Sequence, residues 1–241
     1  MGIIYGKNPV LEAISSGTTI NKIYAQTSNK EIDSVIKEAL KRKIIVVNTD
    51  KQKLDKMIGK NSQGIIASIT DFKYSEVSEI IEYAKSKSEL PFIVILDKIE
   101  DPHNLGAIIR SCECMGVHGV IIQKRNACQI TDTVEKVAAG ACSYVKVARV
   151  TNITESIKEL KKNGLWIYGL DMNGESEVYN TKLEGAIGIV VGNEGSGISR
   201  LVKENCDALM KIPMTGKINS LNASVSVAIT IYEVVRQKNI K

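Results

Sequence analysis

Four nearly continuous apolar runs follow Pro91, and they restrict the fold of this chain more than any other feature. They are FIVILD (92–97), GVII (119–122), LWIYGL (165–170) and AIGIVVG (186–192). Strands that are apolar on both faces are typical of a parallel sheet covered by helices on both sides. Helical spacing occurs between and after these runs, near residues 104–115, 131–138, 152–163, 199–205 and 220–236. We therefore predict an α/β domain with a mostly parallel sheet over residues 91–241.

The first third of the chain has the pattern of a smaller α/β unit. Its predicted elements are a short helix over 10–14, a strand over 20–25, a helix over 30–43, a strand over 43–47, a helix over 50–59 and a strand over 64–69. A polar segment with helical spacing, 74–90, is either a connector or the first helix of the next domain. The predicted domains are residues 1–70 and 91–241, with 71–90 as a linker or helix.

The positive charge of the chain is confined to its first third. Residues 1–70 hold eleven Lys/Arg against six Asp/Glu, whereas residues 71–241 hold twenty-one of each sign, so the whole net charge of +5 lies before residue 71. One explanation is a solvated lysine-rich surface, and the other is a segment that binds phosphates and gains affinity by counterion release. Charge alone leaves the two open.

The sequence also argues against several classes of protein. It has no uncharged apolar run long enough to span a bilayer and no pattern of a secretion signal at its start. Its five cysteines are odd in number and absent from the first hundred residues, which indicates reduced thiols and a cytoplasmic location. We expect no membrane partner. His103, Cys112, Cys114 and His118 lack the paired spacing of a zinc site, so no metal is expected.

Polar loops after buried strands are where doubly wound sheets bind ligands, and three segments of this kind are candidates. In residues 96–116, Asn104 stands where a helix cap belongs, and Arg110 lies in an otherwise apolar helix. A buried guanidinium needs an anion or a carbonyl partner, although an exposed pair with Glu113 is the alternative. A catalytic or anion-binding role and a structural role remain open for both residues.

The second and third segments are residues 188–199 and 211–235. The glycine-rich loop GNEGSG (192–197) has neither nucleotide-binding spacing nor a Walker A pattern, and Glu194 would repel a pyrophosphate. It suits a ligand with hydroxyls or a positive charge, or else it is a sharp turn with a solvated carboxylate. In the third segment a helix is predicted to start near Ser220. Ser220 and Asn222 are good helix-capping residues, so capping is the structural alternative to a functional role for both.

Together the three segments resemble the three motifs of the SpoU (TrmH-type) branch of the SPOUT RNA methyltransferases. The matching residues are, in order, Asp97, Asp101-Pro102, Asn104, Gly106, Arg110 and Gly116, then Gly192 to Gly197, then Ile212-Pro213-Met214, Ser220-Leu221-Asn222, Ser224-Val225 and Glu233. Gly6 to Val10 and Ser62 to Ile65 also resemble the substrate-binding domain of this branch. The resemblance covers essentially the whole chain and is closest to bacterial enzymes that methylate a guanosine ribose of 23S ribosomal RNA.

The resemblance implies a trefoil-knotted catalytic domain with S-adenosylmethionine as cofactor, after a ribosomal-protein-like RNA-binding domain. It implies that Gly192, Ile212 and Leu221 contact the cofactor and that Val191 and Met214 shape its pocket. Arg110 would be the catalytic group for the ribose hydroxyl. Asn104, Glu194, Ser220 and Asn222 would orient the reactants.

The expected partners are RNA and a second copy of the chain in a homodimer, and DNA is not expected. Three alternatives stay open: a tRNA ribose methyltransferase, a ribosome-modifying resistance enzyme, and a non-catalytic RNA-binding protein.

Overall fold

The chain divides into two units, Met1–Lys73 and Tyr74–Lys241. The computed structural model describes residues 2–16, 18, 20–69, 72–217 and 220–239. The predicted boundary between residues 70 and 71 falls outside these described ranges. Within the described part, no helix is both long and apolar enough to cross a bilayer.

The first unit is a four-stranded mixed sheet with three helices. Its elements are β1 (Gly2–Tyr5), α1 (Lys7–Ser15), β2 (Ile20–Ala25), α2 (Asp33–Lys41), β3 (Val46–Asn48), α3 (Lys51–Ile58) and β4 (Ile65–Ile69). The strand order is β1-β4-β2-β3, in which β4 is antiparallel to both of its neighbours and β2 is parallel to β3. This unit has a core of its own, centred on residues such as Val10, Ile23, Val35 and Ile65.

Two strands of this unit differ from the sequence prediction. Strand β1 was not predicted, and the strand predicted over 43–47 begins only at Val46. The chain at Lys43 has a φ of 58°. The Lys43 N–H donates to the Leu40 carbonyl and the Ile44 N–H to the Ala39 carbonyl. This is the hydrogen-bond pattern of a Schellman cap, so residues 43 and 44 end helix α2 and are not free to pair in a sheet.

The second unit is built on a seven-stranded sheet. Its helices are α4 (Val77–Ser86), α5 (Pro102–Cys114), α6 (Asp132–Ala138), α7 (Ile153–Lys162), α8 (Arg200–Asn205) and α9 (Ala223–Asn239). Its strands are β5 (Phe92–Asp97), β6 (Gly119–Gln123), β7 (Lys146–Val150), β8 (Trp166–Leu170), β9 (Ser176–Glu177), β10 (Ile187–Gly192) and β11 (Ala208–Lys211). Every pairing in the order β7-β6-β5-β10-β8-β11-β9 is parallel. The prediction of an α/β fold with a parallel sheet is confirmed, while the trefoil knot stays a prediction.

The segment predicted as a connector or a helix forms α4 and belongs to the second unit. Its apolar side chains Val77, Ile80 and Ile81 are buried in the same core as Ile93 of β5. Strands β5 and β10 are buried along their whole length, and the register pairs Gly192 with Asp97 at their carboxyl ends. The first two candidate segments therefore begin side by side at one edge of the sheet.

Candidate active site

A cavity of about 590 Å³ lies at the carboxyl edge of this sheet. Its lining residues lie at the ends of β8 and β10, in the loops that follow β8, β10 and β11, in α8, and before and within the start of α9. The five residues predicted to contact or shape a cofactor pocket all line it, namely Val191, Gly192, Ile212, Met214 and Leu221. Glu194 and Ser220 line it as well. Its size is in the range of ordinary small-molecule pockets.

The carboxylate of Glu194 joins the three candidate segments. Its Oε1 accepts hydrogen bonds from Asn104 Nδ2 at 2.9 Å, Asn222 Nδ2 at 2.7 Å and the Ala223 backbone N–H at 3.1 Å. Asn222 Nδ2 also donates to Asn104 Oδ1 at 2.8 Å. Glu194 and Asn222 follow Asn104 by 90 and 118 positions, and the three residues meet at one carboxylate oxygen. Glu194 is exposed, as the solvated-carboxylate alternative requires, but one of its oxygens is also hydrogen-bonded to the other two segments.

Asn222 has two functions in this arrangement. Its Oδ1 accepts from the backbone N–H of Ser224 at 2.9 Å and of Val225 at 3.4 Å, so it caps the first turn of α9. Its Nδ2 is then available for the contacts with Glu194 and Asn104. The helix begins at Ala223, so the prediction that it starts near Ser220 is corrected by three residues. Ser220 lines the cavity and lies outside the helix.

Asn104 is not the helix cap that its position suggested. Asp101 caps α5, since its Oδ1 accepts from the His103 N–H at 3.0 Å, and Pro102 occupies the first turn, where a missing N–H costs nothing. Asn104 lies three positions after this cap, inside the helix, and is buried. Because the cap is already supplied, the Asn104 amide is free to bind Glu194 and Asn222.

Gly192 allows the glycine-rich loop to fold back against the strand it leaves. A Cβ at Gly192 would lie 2.1 Å from the carbonyl carbon of Gly197, which is backbone and not a movable side chain. The Gly197 N–H donates to the Asn193 carbonyl at 2.7 Å, and Gly197 has a φ of +64°. The predicted sharp left-handed turn is therefore present, and it forms one wall of the cavity.

A buried carboxylate anchors the far end of this loop. Asp97 is fully buried, and its Oδ2 accepts from both the backbone N–H and the hydroxyl of Ser199, the former at 2.7 Å. Its Oδ1 has no partner in the described part of the chain. Ser199 immediately precedes α8, so Asp97 connects the end of β5 to the end of the loop that carries Glu194.

The sequence analysis missed the opposite wall of the cavity. Asp171 and Asn173, which follow β8, line it together with Lys203 of α8. Lys203 Nζ lies 2.5 Å from Asp171 Oδ2. Burial alone would raise the pKa of the Asp171 carboxyl, but hydrogen bonds from Lys203 and Asn173 outweigh it and lower that pKa. These residues come from separate segments with no motif, so only the order of the strands brings them together.

Arg110 does not meet the expectation that its guanidinium is buried. It is exposed on α5, whereas Leu105, Ile108 and Ile109 form the buried face. It does not line the cavity, and no pair with Glu113 is found among residues 72–217. Six residues separate Arg110 from Asn104, which places the two side chains on different faces of the helix. Within this chain, Arg110 and the cavity are therefore separate.

No group of three or more His, Cys, Asp or Glu able to hold a metal ion is found in the described part of the chain.

Two of the side chains considered as metal ligands are buried in the fold. Cys112 is buried, and burial raises the pKa of its thiol. His118 Nε2 lies 2.9 Å from Glu89 Oε2, and its Nδ1 accepts from the Phe92 N–H. Burial lowers the pKa of His118, and the ring links Glu89, in the segment after α4, to the start of β5.

Two family models match the chain. The SpoU rRNA Methylase family matches residues 91–232, and the domain described as RNA 2'-O ribose methyltransferase substrate binding matches residues 3–75. The chain belongs to the SpoU family of RNA methyltransferases. The SpoU match contains Asn104, Glu194 and Asn222, the residues through which the three segments meet.

Relatives of the SpoU family cover the whole length of the chain. A Bacillus subtilis protein described as a TrmH family tRNA/rRNA methyltransferase is 40% identical over 98% of this chain and 96% of its own length. A Staphylococcus aureus protein of the same description is 43% identical over 98% and 96%. The SpoU methyltransferase AviRb of Streptomyces viridochromogenes, solved in complex with AdoMet, matches the fold with a TM-score of 0.64 at 20% identity, over 99% of this chain and 91% of that one.

Removing the Glu194 carboxylate should loosen the junction of the three segments. In Glu194→Ala, three donors lose their acceptor; because Glu194 and Asn222 are exposed and water replaces part of this contact, we expect the free energy of unfolding to fall by about 1 kcal/mol. Glu194→Gln keeps an acceptor oxygen at the same place and should lose clearly less. Urea unfolding of both variants beside wild type measures this. Equal midpoints for Glu194→Ala and wild type would contradict the structural role of this side chain.

Proposed function

We propose that this protein transfers a methyl group from S-adenosylmethionine to the 2′-hydroxyl of a guanosine ribose in 23S ribosomal RNA. The observation that carries the proposal is the junction at Glu194, which assembles the three motif segments of a SpoU methyltransferase around one cavity. The substrate-binding domain and the excess of positive charge in the first unit support RNA as the substrate. The descriptions of the Bacillus and Staphylococcus relatives include both tRNA and rRNA, so tRNA is the second candidate.

The residues around the cavity fit such a cofactor. Gly192 has no Cβ, so the backbone of the loop lies next to the space where a ligand would bind. Val191, Ile212, Met214 and Leu221 supply apolar surface. S-adenosylmethionine, when bound, supplies an electrophilic methyl group on a sulfonium sulfur. The side chains on this wall are mainly apolar, so the polar groups of a cofactor would be held largely by backbone atoms.

The reaction needs positioning of the ribose and stabilisation of a weakly acidic hydroxyl. Holding two reacting groups in line supplies much of the acceleration in such a displacement. Arg110 stays protonated in proteins, so we assign it the stabilisation of the developing alkoxide, with a phosphate or water as the proton acceptor. Asn104, Glu194, Ser220 and Asn222 orient the ribose and the cofactor. Because Asn104 and Asn222 are already hydrogen-bonded to Glu194, their positions are set before the substrate arrives.

The proposal includes a homodimer. Three large apolar side chains, Val225, Ile229 and Tyr232, are 40–56% exposed and recur at helical spacing on one side of α9. A second copy is the occupant that the family resemblance implies for such a stripe, and α5 packs directly against α9. A mass in solution of twice 26.4 kDa is expected, and a monomer at micromolar concentration would contradict it.

We place the reaction in the cytoplasm, where free thiols such as those of this chain stay reduced.

The test is transfer of labelled methyl groups from S-adenosylmethionine to a 23S rRNA transcript, to tRNA and to DNA. We expect label in 23S rRNA in an alkali-resistant linkage, because a 2′-O-methyl group blocks cleavage at that ribose. Label in tRNA alone would keep the chemistry and overturn the substrate. Tight RNA binding without transfer to any RNA, including ribosome assembly intermediates, would support a non-catalytic binding protein instead.

A further inference from the structure

A recess of about 540 Å³ lies in the first unit between strand β3 and helix α3. Tyr24, Val47 and Met57 give it apolar surface, and the polar lining residues are Asn48, Thr49, Asp50 and Lys53. We propose that this recess binds one unstacked nucleobase of the RNA substrate. The inference rests on the proposed function, because it takes RNA to be what the first unit binds.

The apolar part of the recess is open to solvent. Val47 is 37% exposed and Met57 is 43% exposed, and the ring of Tyr24 lies half-buried beside them. Single exposed apolar residues are ordinary, but here two of them and an aromatic ring share one concave surface. Proteins that bind single-stranded RNA hold splayed bases on surfaces of this kind, by stacking and by apolar contact.

Asn48 provides a fixed polar edge for such a base. Its Oδ1 accepts from the Thr27 backbone N–H at 3.3 Å and from the Thr27 hydroxyl at 2.8 Å. These two bonds set the orientation of the amide, and its Nδ2 has no acceptor within residues 2–16, 18 and 20–69. An amide N–H₂ group donates to the carbonyl and ring-nitrogen acceptors on base edges. Asn48 therefore supplies a donor where the apolar surface would hold the base.

The recess lies at the same edge of the sheet as residues 6–10 and 62–65, the two segments that resemble a substrate-binding domain. Thr27 follows Gln26, whose N–H donates to the Gly64 carbonyl at 2.9 Å. Next to it, the Lys7 N–H donates to Gln63 Oε1 at 3.2 Å, which joins residues 6–10 to residues 62–65. Hydrogen bonds thus connect Asn48 of the recess, through residues 26 and 27, to both of these segments.

Charge and strand length favour a nucleotide over a peptide as the occupant. Lys53 lies in the first turn of α3, is exposed and has no ion pair in the described part of this unit. It is available for the phosphate that adjoins the bound base, and the net charge of +5 of this unit attracts polyanions. Strand β3 is at the edge of the sheet but has only three residues, which is a poor template for adding a further strand.

The test compares two matched variants of the full chain, Met57→Glu in the recess and Leu40→Glu outside it. Leu40 is 55% exposed and lies one residue before the end of α2. The end of α2 leads into the start of β3, whereas the recess lies at the end of β3. Leu40 is therefore at the edge of the sheet opposite to the recess. Binding to a 23S rRNA transcript and to tRNA is measured directly. We expect Met57→Glu to weaken RNA binding about tenfold or more and Leu40→Glu to change it less than about twofold. Affinity for S-adenosylmethionine should stay the same in both.

Two further measurements keep the proposal open to refutation if Met57→Glu fails to fold. Lys53→Gln should reduce the slope of log affinity against log salt by about 0.7–0.9, whereas Lys37→Gln should not change it. Base-specific chemical probing of the complex should show one nucleotide protected by wild type and reactive again with Met57→Glu or Lys53→Gln.

Wild-type RNA affinity in both recess variants, or no such nucleotide, would overturn the recess as a base site and leave it to another occupant, such as an added strand. Since these readouts are of binding, absence of methyl transfer by wild type counts against the proposed function and not against the recess.

Discussion

Arg110→Ala should lower the rate of methyl transfer by about 10²–10³-fold while leaving the affinities for S-adenosylmethionine and RNA nearly unchanged. Removing one donor from a developing oxyanion costs about this much in other enzymes. Arg110 is exposed and has no partner in the described part of its own chain, so its removal should change the free energy of unfolding by less than about 0.5 kcal/mol. Single-turnover kinetics with saturating cofactor measure the effect on the chemical step.

Two companion variants sharpen this result. Arg110→Lys keeps the charge but loses the planar fork, and we expect it to recover only a small part of the rate. Arg200→Ala removes another exposed arginine, whose side chain is 84% accessible and pairs only loosely with Glu204 at 3.6 Å, and it should leave the rate unchanged. Near-normal single-turnover rates in Arg110→Ala would remove Arg110 from the mechanism.

Gly192→Ala should weaken the binding of S-adenosylmethionine by about 10- to 100-fold. The added Cβ would lie 2.1 Å from a backbone carbon of Gly197, so the loop that forms one cavity wall must move. Forced repacking of this kind costs about 1–3 kcal/mol, and each 1.4 kcal/mol is a factor of ten in affinity. Titration calorimetry with the cofactor measures the loss.

Gly195→Ala is the matched control in the same loop. A Cβ there meets only the Asn193 Oδ1 atom at 3.5 Å, an ordinary contact, and the backbone does not require glycine. We expect its cofactor affinity to stay within about threefold of wild type. If the two alanine variants lost equal affinity, close approach at Gly192 would not be the cause.

A mixture of Arg110→Ala and Gly192→Ala, assayed at a cofactor concentration too low for the latter to bind, tests where Arg110 acts. Arg110 does not line the cavity of its own chain, so in a homodimer we expect it to serve the cavity of the partner. A mixed dimer of Arg110→Ala with Gly192→Ala then contains one intact cavity facing one intact arginine, and activity should return on mixing. No recovery, under conditions in which the subunits exchange, would place Arg110 at its own chain's cofactor.

The central strands were predictable because burial dominates their sequence. Strand β5 was predicted at its observed bounds, since every residue of FIVILD is buried between two layers of helices. Strand β7 was missed, because Lys146 and Arg149 interrupt its apolar pattern at the edge of the sheet. Strand β9 has only two residues and gives no periodicity at all.

The members of the candidate site could be named from the sequence, but their arrangement could not. Motif spacing identified Asn104, Glu194 and Asn222, and their mutual hydrogen bonds depend on strand order, which no local pattern encodes. The exposure of Arg110, one of the two alternatives left open, was predictable from the same spacing. Positions 105, 108, 109 and 112 already form one helical stripe, and residue 110 lies outside it.

The junction at Glu194 also sets when the site can form during synthesis. Asn222 and Ala223 follow Glu194, whose side chain they bind, by 28 and 29 positions. During translation the first unit and most of the sheet are made before these residues leave the ribosome, and domains made first generally fold first. A nascent chain therefore has its substrate-binding unit before it has a complete cofactor cavity. A product that terminates before residue 222 lacks two of the three donors at Glu194, so the junction of the three segments cannot form in it.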